Sequence, residues 1–152
     1  MLRYILIVCF TLVASVGHAV EIKQVTSQRG INAWVVEEPS IPFTALEIRM
    51  RGGASLDLPE KRGATNLMMA LIEEGSGDMD ARAFQTKLDA LAASFSFRAY
   101  DDTMSISARF LSENREEVLA LLRQALTKPR FDQDAIDRVR AQVLAGIASA
   151  AK

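Results

Sequence analysis

The chain has 152 residues, 49% of them apolar and 24% charged, with a formal net charge of −1. That length and balance fit one globular domain with a real core, and exclude a disordered or collagen-like chain. A charge so close to neutral, with no basic run, excludes the electrostatic footprint of a nucleic-acid binder.

Met1-Leu2-Arg3 supplies a positive charge, Tyr4 to Val16 is an almost unbroken apolar run, and Gly17-His18-Ala19 presents small residues before a cut. This pattern predicts a secretory signal peptide over residues 1–19, with cleavage after Ala19 and a periplasmic or secreted product. The competing reading is a retained anchor, but the run is short for a membrane span and polar residues follow it. No span is expected after cleavage. The only cysteine, Cys9, and the only histidine, His18, leave with the signal. The mature chain then has no disulfide, no thiolate or imidazole for zinc, and no Ser-His or Cys-His nucleophile pair. Arg3 is lost without an acid, so the formal charge moves from −1 to −2.

Two strand-like runs open the mature chain, Ile22–Thr26 and Asn32–Glu37, with Gln28-Arg29-Gly30 as the turn between them. Pro39 and Pro42 punctuate the next connection. Phe43–Arg51 alternates, with Phe43, Ala45, Ile48 and Met50 as the apolar set after one slip in phase, and reads as a third strand ended by Gly52-Gly53. A loop, Ala54 to Arg62, leads to a helix near Gly63–Glu74 whose apolar stripe is Ala64, Leu67, Met68, Leu71 and Ile72. Gly75-Ser76-Gly77 stops it. Asp80 is placed to cap a second helix, Ala81–Ala92, with Phe84, Leu88 and Leu91 inward. Ser94–Tyr100 and Thr103–Phe110 then form a tight hairpin around Asp101-Asp102. Ser112 is placed to cap a third helix to Thr127, which Pro129 follows, and Asp132 a fourth from Gln133 to about Ala150. Strand runs followed by helix pairs predict an α+β fold: one mixed, largely antiparallel sheet with helices packed on one face, a two-layer sandwich.

The ordered set of Arg51-Gly52-Gly53-Ala54 at a strand end, Gly63 opening a helix, the strand pair Ser94–Tyr100 and Thr103–Phe110, and the Lys128-Pro129-Arg130-Phe131-Asp132 turn resembles the pitrilysin/insulinase peptidases. These are the zinc enzymes with an inverted motif, and the resemblance covers nearly all of the mature chain. It implies that residues 20–152 are an N-terminal half-domain, cut off inside its last helix. In that family the helix after the glycine carries His-x-x-Glu-His. Two histidines one turn apart grip one zinc ion, the glutamate activates the bound water, and a glutamate from the last long helix completes the site. Carried over by position, the histidines become Asn66 and Ala70, the base becomes Met69, and the distant ligand falls near Gly146. None offers imidazole, thiolate or carboxylate to zinc, and Met cannot take a proton. The resemblance therefore implies no catalytic residues, no bound metal and no cofactor.

Glu73, Glu74, Asp78 and Asp80 could form a hard-cation site, but their spacing matches no calcium loop. They read instead as a solvated helix end plus an N-cap. The resemblance leaves one binding surface. In the family a peptide lies as an extra strand beside the metal, and Phe95, Ser96 and Phe97 occupy the matching strand. Strand addition needs only free backbone groups, so it survives loss of the zinc, whereas paired apolar residues on a strand usually face the core. If Ser96 donates to the incoming strand, Ser96→Pro weakens binding. The implied role is a non-catalytic partner of an active zinc-peptidase homologue, in a heterodimer that handles extended peptides. The alternatives are a divergent metallopeptidase with an unrecognised site and a stand-alone periplasmic peptide-binding module.

Overall fold

A computed structural model describes residues 21–150. The expected signal peptide, with Cys9 and His18, lies outside the described residues. The chain divides into two compact units at Ile41/Pro42. In the first, β1 (Ile22–Thr26) and β2 (Asn32–Val36) pair antiparallel, with Gln24 opposite Trp34. The turn between them is closed by Ser27, whose Oγ accepts from Ile31 N at 3.0 Å.

The second unit carries β3 (Phe43–Arg51), α1 (Ala64–Leu71), β4 (Gly75–Ser76), β5 (Met79–Asp80), α2 (Ala81–Ala90), β6 (Ser94–Ala99), β7 (Thr103–Leu111), α3 (Arg115–Thr127) and α4 (Gln133–Ala150). Its main sheet has the order β3-β7-β6, antiparallel throughout. Asp101-Asp102 makes the expected tight turn, with Tyr100 N donating to Thr103 O at 2.8 Å. The β4–β5 pair is a separate two-residue ladder where a plain helix stop was expected.

Alternation along the strands sorts the main sheet into two faces. Phe95, Phe97, Ile106, Ala108 and Phe110 are buried on one of them, packed with Phe84 and Leu88 of α2 and Val118, Leu121, Leu122 and Ala125 of α3. The helical residues fall three and four apart, so each helix turns one stripe to the sheet. This is the predicted two-layer α+β arrangement. The Phe95 ring packs tilted on Phe84 at 6.3 Å and edge-on to Phe97 at 6.2 Å between centroids. A smaller cluster joins α1 to α4 through Leu71, Ala135 and Val139.

Three local readings change. In β3 the half-buried set is Thr44, Leu46 and Ile48, in strict alternation, and Phe43 and Ala45 are exposed. The edge position of β3 tolerates an exposed phenylalanine, so the slip in phase is not needed. Ser112 does not cap α3. It sits in a 3₁₀ turn, Ser112–Asn114, where its Oγ lies 2.9 Å from Thr44 Oγ1 and ties the turn to β3. The Asp132 carboxylate accepts from Arg130 Nε at 2.7 Å, while its carbonyl takes the first helical bond of α4 from Ile136 N.

Candidate functional site

The loop after β3 is zipped to the β6–β7 turn. Gly52 N donates to Asp102 O, Ala54 N to Tyr100 O and Ser55 N to Asp101 O, each at 2.9 Å. A Cβ on Gly53 would sit 2.1 Å from Tyr100 O, so only glycine permits this approach. The loop then delivers Asp57 to the start of α1. Gly63 holds φ +92° there, and no side chain next to the helix caps it. Asp57 does so from a distance: its carboxylate accepts from Gly63 N at 2.8 Å, Thr65 N at 3.2 Å and Thr65 Oγ1 at 2.5 Å. The Thr65 hydroxyl bond, joined by those backbone bonds, holds its carboxyl below the usual aspartate range. A capping residue is sought next to its helix, so this one was not legible locally.

Asn66 and Ala70 lie one turn apart on the exposed face of α1. Met69 does not share that face. It is only 2% exposed and belongs to the core with Phe84 and Phe95. Met68, expected in the apolar stripe, is exposed instead. Gly146 lies on α4. The family's zinc does not fit this arrangement. The two outward positions offer an amide and a methyl group, the base position points into the core, and the last position has no side chain.

The acidic residues beyond α1 do not converge, and no group of three metal-capable side chains occurs among the described residues. Glu74 forms a forked pair with Arg138 of α4, Arg138 Nη1 to Oε1 at 3.0 Å and Nη2 to Oε2 at 2.6 Å. Asp80 caps α2 as expected, accepting from Ala83 N at 2.8 Å. Asp78 is exposed. Glu73 is half-buried rather than solvated. Burial pushes its carboxyl above the ordinary glutamate range, the backbone of Phe97 pulls it back, and the Glu74 charge adds to the rise.

That Glu73–Phe97 contact lies on the edge of the main sheet. β6 has β7 on one side and no strand on the other among the described residues. Hydrogen-bonded and non-hydrogen-bonded pairs alternate in an antiparallel ladder. Starting from the Tyr100–Thr103 bond, Arg98, Ser96 and Ser94 direct their backbone groups to β7. Phe95, Phe97 and Ala99 direct theirs to the free edge. The rings of Phe95 and Phe97 are in the core and the Ser96 side chain is on the opposite face. What these residues offer a peptide is the backbone of Phe95, and that of Phe97 once the Glu73 carboxylate gives up its bond to it. Ser96→Pro would therefore break the β6–β7 ladder itself and is not a test of the edge.

A sequence profile described as insulinase (peptidase family M16) matches residues 34–152. A Helicobacter pylori protein named non-peptidase homolog YmxG is 28% identical over 111 residues, covering 73% of this chain and 26% of the relative. A solved peptidase M16 inactive domain from Pseudomonas fluorescens superposes with a TM-score of 0.75 at 30% identity, over 83% of this chain and 31% of that one. The chain thus spans between a quarter and a third of the length of these two relatives.

Proposed function

The chain belongs to the insulinase family of peptidases, M16, and we propose that it is a catalytically silent, exported subunit that holds extended peptides for an active zinc-peptidase homologue. The observation that carries this reading is the pairing of an intact strand edge with a chemically empty helix. The β6 edge has no strand beside it among the described residues and turns the backbone groups of Phe95, Phe97 and Ala99 outward, with Glu73 alone engaging Phe97, which is the arrangement strand addition requires. The neighbouring helix presents Asn66 and Ala70, and its base position is filled by a core methionine. Binding without chemistry needs a partner to supply the chemistry. In this reading residues 1–19 address the chain to the periplasm or the medium, and residues 20–152 are the peptide-holding domain. No described helix is long and apolar enough to cross a membrane.

The test is co-purification of the tagged chain from the exported fraction of its own cells, with mass spectrometry of what accompanies it. Recovery of a homologue with intact His-x-x-Glu-His is the expected result. A chain that carries no such homologue, and that binds no extended peptide when isolated, would overturn the proposal.

A further inference from the structure

The free edge of β6 has two sides, and only one is apolar. The side facing the helices is the core. The opposite side of the sheet is a shallow cavity of about 360 Å³ with a polar floor of Ser94, Ser96, Ser105 and Ser107. The register fixes where charge lies across it. Glu47 on β3 faces Ser107, which faces Ser96 on β6, while Ser105 faces Arg98 and Arg109 faces Ser94. The single acid lining this cavity is therefore on β3, farthest from the free edge. It is already engaged, accepting from Ser105 Oγ at 2.6 Å and pairing with Arg49 Nε at 3.3 Å.

The cations nearer the edge are not so engaged. Arg98 is exposed on β6 and donates only to Ser96 Oγ at 3.2 Å, and neither it nor Arg109 forms an ion pair among the described residues. Asp101 and Asp102 lie beyond the strand end in the turn, where Asp102 is tied to Ser55 Oγ at 3.0 Å. A chain with an overall charge of −1 thus carries a basic, hydroxyl-lined surface beside its free strand edge.

A peptide added to β6 follows the same pleat, so every second side chain stands beside Ser94, Ser96 or Arg98, with Cβ atoms about 5 Å away. We propose that this outer row makes the β6 edge selective for extended peptides with acidic side chains at alternate positions, one carboxylate pairing with Arg98 and its neighbours taking the Ser94 and Ser96 hydroxyls. This rests on the strand-edge reading above and adds the class of peptide. The positions between the acids turn to the helix side and are best filled by apolar residues.

The test uses the full chain and two labelled peptides of equal length, one alternating Glu with Val and the other Gln with Val, titrated by fluorescence anisotropy at low and at physiological salt. The Glu peptide is expected to bind about fivefold more tightly at low salt, with the advantage shrinking as salt rises. Arg98→Gln is expected to make the two peptides equal without weakening the Gln peptide, because Arg98 is exposed and its backbone groups face β7. Equal binding of both peptides to the unaltered chain, or a preference that survives Arg98→Gln, would overturn the acid selectivity and leave the strand edge standing. Failure of both peptides to bind would overturn the strand-edge reading and this proposal with it.

Discussion

Restoring the family's motif to α1 separates positions that face solvent from one that does not. Asn66→His and Ala70→His replace exposed side chains and are expected to change stability by no more than about 0.5 kcal/mol. Met69→Glu acts on a side chain 2% exposed in the main core. Losing a buried Met costs about 2–5 kcal/mol in comparable cores, and a carboxyl without a partner adds about 1–3 kcal/mol. We expect a net loss of about 3–8 kcal/mol, a large share of the roughly 5–15 kcal/mol that holds an ordinary domain together. The penalty also has a pH signature. Burial raises the folded carboxyl above its unfolded value of about 4.3, so the unfolded state ionises first as pH rises. The loss is smallest at low pH and grows as pH climbs from that value through the raised one. Urea denaturation of the three variants, followed by far-ultraviolet circular dichroism at pH 4 and pH 8, reads both effects. A Met69→Glu chain as stable as Asn66→His at pH 8 would refute the core placement of Met69, and with it the view that the base position has become a packing position.

Three other perturbations follow from the site. Glu73 has a carboxyl raised chiefly by burial, so its contribution to stability is present below the ordinary glutamate value of 4.5 and is lost as pH rises through the raised value. Glu73→Gln should flatten the pH dependence of the denaturation midpoint in that window, and an unchanged slope would contradict the burial. Asp57 is shifted the other way, chiefly by the Thr65 hydroxyl, so it stabilises above 3.8 and that gain is lost as pH falls through the lowered value. Asp57→Asn should lower the midpoint at pH 7 and approach the parent as pH falls through that lowered value, and equal midpoints at pH 7 would show that the cap contributes nothing. Gly53→Ala must move the β6–β7 turn or the loop, because its Cβ would meet Tyr100 O at 2.1 Å. A loss of about 2 kcal/mol or more is expected, and a neutral result would mean that the loop lies farther from the turn.

Wherever one short stretch of chain contains its own physical cause, residue order alone was enough. Asp101-Asp102 between two alternating runs makes a two-residue hairpin because the turn and both ladders are local. Asp80 caps α2 because cap and helix are adjacent, and Phe84, Leu88 and Leu91 turn inward because helical spacing stacks them on one face. The mismatch of the family's zinc positions with zinc was equally legible, since it depends on residue type at fixed spacing: Asn66, Met69, Ala70 and Gly146 carry no suitable donor wherever they point. Tertiary structure decided where they do point. Period alone put Met68 in the apolar stripe, and packing against α2 and β6 put Met69 in the core instead. Other outcomes also depend on partners distant in sequence. Asp57 reaches over a loop to cap α1, Arg138 of α4 takes Glu74, and the β6 edge half-buries Glu73, so the helix end that read as solvated is held by distant partners. Placing Arg98 at the free edge and Glu47 on the far strand needed the β3-β7-β6 order, because strands that meet through their backbones leave no mark in their own residues of which neighbour they take.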